Sequence, residues 1–198
     1  MKLIQTTRAN LTRPNPDPMR LILASSSRYR RDMLARLGLP FDTEAPGVDE
    51  TPQNGEEPES LARRLSLAKA LAVASRHPGA VIIGSDQVAS LEGAPIGKPG
   101  GFDRAREQLR RLAGRTVTFH SGLCVTDGLH HEVVCVDTFC RFRPLKDQDI
   151  DTYLRREQPF DTAGSAKAEG LGVALMERMT SDDPTAIIGL PLIELCRL

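Results

Sequence analysis

The sequence carries no surplus of charge. Its 26 Lys and Arg offset 26 Asp and Glu, giving a formal net charge of zero over 198 residues. That argues against a general electrostatic grip on nucleic acid, because no excess positive charge is there to release counterions. Arginines are still free to cluster at one site. Cysteine is scarce, limited to Cys124, Cys135, Cys140 and Cys196. None forms a CxxC pair and no two histidines stand at zinc-finger spacing, which argues against a zinc site. Four reduced thiols in a cytoplasmic protein are the simpler reading. No apolar run approaches the ~20 residues of a membrane helix. Residues 1–19 lack an apolar signal core, contain RPNPDP and read as a disordered extension. Also missing are a GxxxxGK[ST] loop, a GxSxG elbow, an internal repeat and any obvious histidine partner for a serine or cysteine. His77, His120, His130 and His131 read as structural or exposed.

What is present suits one globular core. With 40% apolar residues, the chain from residue 20 onward can form a single domain, or two packed lobes with a cleft between them. LILAS (21–25) reads as a buried strand. Tyr29, Met33, Leu34 and Leu37 share a helical face behind a Ser26 or Ser27 cap, and Gly38 ends that helix. FDTEAP (41–46) reads as a strand, and Pro58 opens a second helix. AVIIG (80–84) is a strand ending at Ser85-Asp86-Gln87, with a turn at Glu92-Gly93. Asp103 can cap a third helix. Alternating residues on both sides of Asp127-Gly128 predict a long antiparallel hairpin over 115–142. A helix follows over about 147–157, then a small-residue loop (161–172), a strand VALMERM (173–179) and a short last helix. The fold class is α/β, with a mixed twisted sheet flanked by helices.

The polar stretches form a chemical inventory. SSSRYRR (25–31) follows a buried strand at a helix N-terminus, where unpaired amides and serine hydroxyls favour anions. Taken alone, it reads more simply as a serine-capped helix with solvated arginines. Asp49 and Glu50 sit in a loop, and Asp86 follows a strand. Two or three such carboxylates can hold Mg²⁺, and Asp86 can take a proton from water. Lys98 lies between Gly97 and Pro99 in a rigid turn, whereas Lys69 alone reads as a solvated helix lysine. Lys167 and Glu169 occupy a loop of small residues that permits close ligand approach. Cations for phosphate charge, carboxylates for a metal and a base for water together suit phosphoryl chemistry.

In this order and spacing, LASSSRYRR, VDET, GSDQV, GKP, AGSAKAEG and GLPL resemble the Maf family of nucleoside triphosphate pyrophosphatases, from about Met19 to the C-terminus. The resemblance implies a Maf/ITPase-like fold, a divalent cation (Mg or Mn), a cytoplasmic location, a nucleoside triphosphate partner and a homodimer. It implies attack of water at the α-phosphorus with release of pyrophosphate. Asp86 would be general base and metal ligand, and Glu50 a second metal ligand. Arg30, Lys69 and Lys98 would neutralise the triphosphate, while Ser25 and Ser27 cradle it. Arg28 and Arg31 keep no role beyond surface charge. Gln87 after Asp86 is similar to the branch acting on 7-methyl-GTP, where the dTTP/UTP branch has threonine. Tyr29 stands where a known member has tryptophan, and Glu169 matches a third specificity position. N7 methylation makes guanine cationic, which suits an aromatic face and a carboxylate. Gln87 can both donate and accept, and Tyr29 can equally be core packing. The alternatives are a dTTP/UTP or broader pyrophosphatase and, from another class, a nucleotide-binding regulator of cell division with little turnover.

Overall fold

The computed structural model describes residues 19–198. The extension expected over residues 1–19 lies outside them, Met19 apart. Strand β1 (Leu21–Ala24) is a run of apolar residues. Ser27 caps helix α1 (Arg28–Ala35), its hydroxyl accepting from the Arg30 amide. Met33 and Leu34 form the buried face of α1, with Tyr29 and Leu37 half-buried at its margins. Strand β2 is only Asp42–Thr43, not the six residues expected. The Glu44 amide still donates to the Leu23 carbonyl at 3.0 Å while its side chain binds Arg76 and His77, but Pro46 has no amide to offer a ladder. Helix α2 (Pro58–Ala74) opens on its proline.

Strand β3 runs from Val81 to Leu91. The apolar run stops at Gly84, but pairing with the next long strand carries the ladder on through Ser85, Asp86 and Gln87. Glu92 and Gly93, both at positive φ, turn β3 into strand β4 (Ala94–Ile96). Helix α3 (Phe102–Leu112) is capped by Gly101 rather than Asp103, which sits in its first turn, where a carboxylate suits the helix dipole. Strands β5 (Thr116–Thr126) and β6 (His131–Phe142) make the expected hairpin. Helix α4 spans Asp147–Glu157. Strand β7 (Met176–Ser181) starts three residues later than VALMERM suggests, because Leu171–Leu175 coil into a 3₁₀ turn. Helix α5 (Leu192–Arg197) is short.

The sheet order is β2-β1-β3-β5-β6-β7, with β4 also on β3. Strands β2, β1 and β3 are parallel, and everything beyond β3 is antiparallel. Helix α2 covers one face, its Ala70, Val73 and Ala74 packing on Ile22, Ile82 and Cys124. Its approach is close because Gly84 and Gly122 lie beneath it. A Cβ at Gly84 would overlap the Ser66 carbonyl, and one at Gly122 that of Ala62. The opposite face carries two apolar clusters. Helices α1 and α5 pack on Leu23, Ile83 and Leu123, while α3 and α4 pack on Ala89, Val117 and Phe119. Between them, the same face presents Ser85, Gln87 and Ser121. A polar belt thus divides one sheet face into two lobes. Among the described residues no helix is long and apolar enough to cross a membrane.

Candidate active site

Strand β1 leaves the edge of β3 after Ala24, opposite Gly84, and β4 joins only at Ala89. A cleft of about 700 Å³ opens in that gap. It lies beyond the carboxyl end of β1, where open α/β sheets usually bind their ligands. Asp86 is therefore inside a strand, not beyond its end, and the cleft reaches it because its neighbour strand has departed.

On the α2 face, Lys69 is 5% exposed and Asp86 7%. The Lys69 ammonium donates to Asp86 Oδ1 at 2.6 Å and pairs with Glu50 Oε1 at 2.6 Å. Lys69 is thus not a solvated helix lysine, nor a cation presented alone to phosphate. Its stem is buried against the sheet, so its charge has to be paired. Burial pushes the Glu50 carboxyl up, but the Lys69 hydrogen bond and the charges of Lys69, Lys98 and Arg30 outweigh it, and the net direction is down. The loop bearing Glu50 is tied to α2 by Arg64, which binds Glu56 at 2.6 Å and the Thr51 carbonyl at 3.1 Å. Asp49 spends one oxygen on the Thr51 amide and hydroxyl and does not line the cleft.

Around the α1 N-terminus the cleft is lined by Ser25, Ser27, Arg28 and Arg30. Ser25 accepts from the Ser27 amide at 3.1 Å. Arg30 Nε donates to the Gly189 carbonyl at 2.9 Å, which fixes the guanidinium plane. Burial pushes this guanidinium below its usual range, with Asp86 and Glu50 opposing. Lys98 enters from the loop after β4. Arg28 is more than surface charge. It lines the cleft, and its guanidinium carbon lies 4.8 Å from the Tyr29 ring centroid. Arg31 pairs with Asp32 on the surface.

Tyr29, Gln87 and Glu169 line the same cleft, with Phe119 and Ala166. Gln87 corrects its sequence reading. Its Nε2 donates to Ser121 Oγ, the Ala186 carbonyl and the Ile187 carbonyl at 2.9–3.1 Å. Two of these partners can only accept, so the amide orientation is fixed and its donors are spent. Gln87 can offer a ligand only its carbonyl oxygen. Lys167 does not line the cleft. It is buried, with Nζ 3.6 Å from Asp161 and its amide on the Tyr153 hydroxyl.

Sequence reasoning missed the wall formed by Ala186–Gly189. Its carbonyls hold Gln87, Ser121, Ser85 and Arg30. Buried Asp183 sets this turn, accepting from the Thr185 amide and hydroxyl and from the Ile193 amide. Carbonyls leave no side-chain signal, and Asp183-Pro184 shows only as a turn. A serine–histidine contact was missed as well. His120 lies 2.9 Å from Ser90 and 2.7 Å from Asp137, joined across three strands. None of the three lines the cleft. Burial pushes the Cys124, Cys135 and Cys140 thiols up to about 12, far from the thiolate a nucleophile needs.

The model of Maf-like proteins matches residues 20–198. The chain belongs to the Maf family. Maf relatives named 7-methyl-GTP pyrophosphatase align over almost its whole length. That of Bordetella pertussis (strain Tohama I) is 68% identical over 181 residues, 91% of each chain. That of Cupriavidus pinatubonensis is 58% identical over 178 residues, 89% of each. That of Burkholderia lata is 54% identical over 186 residues, 91% of this chain and 89% of its own. A solved HAM1 protein from Coxiella burnetii covers 63% of this chain and 73% of its own at 15% identity, with a TM-score of 0.46.

Proposed function

We propose that this chain hydrolyses 7-methyl-GTP to 7-methyl-GMP and pyrophosphate. The observation that carries this reading is one cleft lined by two kinds of group. Glu50, Lys69 and Asp86 with Arg30, Lys98 and the α1 N-terminus make one set, which we assign to the phosphates. An aromatic ring, a locked amide oxygen and a carboxylate make the other, which we assign to the base. The name of its Maf relatives, 7-methyl-GTP pyrophosphatase, supports the same substrate.

In the first set, Arg30, Lys98 and the serine-capped helix terminus meet the triphosphate charge. Water attacks the α-phosphorus, the bond from that phosphorus to the bridging oxygen breaks, and pyrophosphate leaves. Asp86 takes the proton of the attacking water. Lys69 holds Asp86 in place and balances its charge. Glu50 and Asp86 each meet Lys69 through one oxygen, and their second oxygens fit a divalent ion beside it. Mg²⁺ or Mn²⁺ there would be held by Glu50, Asp86 and phosphate oxygens, and would supply charge neutralisation and water activation when bound. Among the described residues, no group of three or more metal-binding side chains converges. Two carboxylates plus substrate oxygens is the usual Mg²⁺ pattern.

In the second set, the locked Gln87 oxygen and the Glu169 carboxylate are both acceptors. The guanine edge offers donors from N1 and the exocyclic amine. Uracil and thymine offer one donor flanked by two carbonyls, which acceptors disfavour. Tyr29 supplies a π face for a cationic ring. Asp86→Asn tests the chemistry. It is expected to cut kcat by about 10²–10⁴-fold, the range for a lost general base, while nucleotide binding persists. A wild type that binds 7-methyl-GTP and releases no pyrophosphate would favour a binding regulator instead.

A further inference from the structure

Half-buried Gln108 projects from α3 and does not line the cleft. Its Nε2 donates to the Gly97 carbonyl at 2.9 Å, and its Oε1 accepts from Ser165 Oγ at 2.5 Å. Gly97 O can only accept, which fixes the orientation of the amide. One side chain thus ties together two loops that are far apart in sequence. The first carries Lys98, the residue after Gly97. The second runs from Ser165 through Ala166 to Glu169.

The second loop needs tying. Ser165 is fully buried and sits at φ +52. A non-glycine residue keeps that left-handed conformation only where its surroundings fix it. Its amide donates to the Thr162 carbonyl at 3.1 Å and its hydroxyl donates to Gln108. Helix α4 holds the same loop further along, where Tyr153 and Glu157 accept from the Lys167 and Leu171 amides. Gln108 alone among these anchors also reaches the Lys98 loop.

We infer that Gln108 is a positioning residue that couples the two sets of cleft groups, setting Lys98 through Gly97 and Glu169 through Ser165. This rests on the proposed division of the cleft groups into a phosphate set and a base set. The two bonds act on different parts of the nucleotide, so they separate kinetically. Gln108→Glu keeps an acceptor for Ser165 and loses the donor to Gly97. Ser165→Ala loses only the bond on the base side.

The test is kcat and KM of wild type and both variants on 7-methyl-GTP and on GTP, with pyrophosphate release as readout. Gln108→Glu is expected to lower kcat about five- to tenfold on both nucleotides and leave their kcat/KM ratio unchanged, as one lost hydrogen bond would. Ser165→Ala is expected to lower that ratio about fivefold and leave kcat on GTP unchanged. Ser165→Gly, which relieves the backbone strain, is expected to show the same loss of discrimination in a fold at least as stable as Ser165→Ala. Variants that lower both quantities in equal proportion, or that lower only the melting temperature, overturn the inference. A wild type that binds nucleotide but hydrolyses neither overturns the pyrophosphatase reading alone. The split is then read from dissociation constants: Gln108→Glu weakens inorganic tripolyphosphate, and Ser165→Ala weakens only the preference for the methylated base. Absence of that split overturns the coupling.

Discussion

Asp86 and Gln87 are neighbours in sequence and face opposite sides of β3. Strand alternation sends the carboxylate toward Lys69 on α2 and the amide toward the Ala186 and Ile187 carbonyls. Under the proposed function, these two adjacent residues serve the phosphates and the base of one nucleotide. Tyr29 lines the same cleft, with Arg28 over one face of its ring. A stacking base has to use the other face or displace Arg28. Tyr29→Leu keeps bulk and removes the π face. It is expected to lower the preference for 7-methyl-GTP over GTP by about tenfold, within the range of a partly desolvated cation–π contact. The ratio of kcat/KM on the two nucleotides measures it. At this scale the serines, arginines and carboxylates of the cleft are legible in the sequence as groups, because each carries its chemistry in its side chain, and the family resemblance singles out Ser27, Arg30, Glu50 and Asp86 among them. The partnership of Lys69 is not legible. Lys69, Glu50 and Asp86 come from a helix, a loop and a strand, and only tertiary packing brings them together.

Helix α2 sets the distance between Lys69 and Asp86, and the glycines of β3 and β5 set the height of α2. At Gly84 a Cβ would overlap the Ser66 carbonyl and come 2.7 Å from the Ala70 amide nitrogen. Those residues flank Lys69 on the helix. Gly84→Ala is expected to destabilise by about 1–3 kcal/mol, the usual cost of overpacking, and to lower kcat by parting Lys69 from Asp86. Gly122→Ala strikes the same helix at Ala62, two turns from Lys69, and is expected to cost similar stability with a smaller fall in kcat. Thermal melting and steady-state kinetics on both variants separate the two effects. Elements with long, clean periodicity, such as α2, α4 and the β5–β6 hairpin, are legible in the sequence. The ends of β2, β3 and β7 are not. They depend on which neighbour strand is present, as with Asp86, held in β3 by β5 after β1 has gone.

Across the whole molecule, one sheet underlies two apolar clusters on one face, and the polar belt between them reaches the cleft through Gln87. The α/β class follows from the interleaved pattern, but the two-lobed face needs the strand order. Stability against acid also belongs to this scale, because it sums over separate anchors. Hydrogen bonds from the Arg64 side chain and the Gln53 amide hold the Glu56 carboxyl at about 2, against 4.5 in an unfolded chain. The His130 and Leu129 amides hold Asp127 at about 2, against 3.8. Both folded values are depressed, so their contribution is full above the unfolded values and is lost as pH falls toward about 2. The melting temperature is expected to drop between about pH 4.5 and 2, and to drop less steeply in Glu56→Gln, as thermal denaturation across that range would show. The substrate is tested most directly by pyrophosphate release from 7-methyl-GTP, GTP, dTTP and UTP in parallel, by the purified protein with Mg²⁺ or Mn²⁺. The expected result is the highest kcat/KM on 7-methyl-GTP. Faster turnover of dTTP or UTP would contradict it.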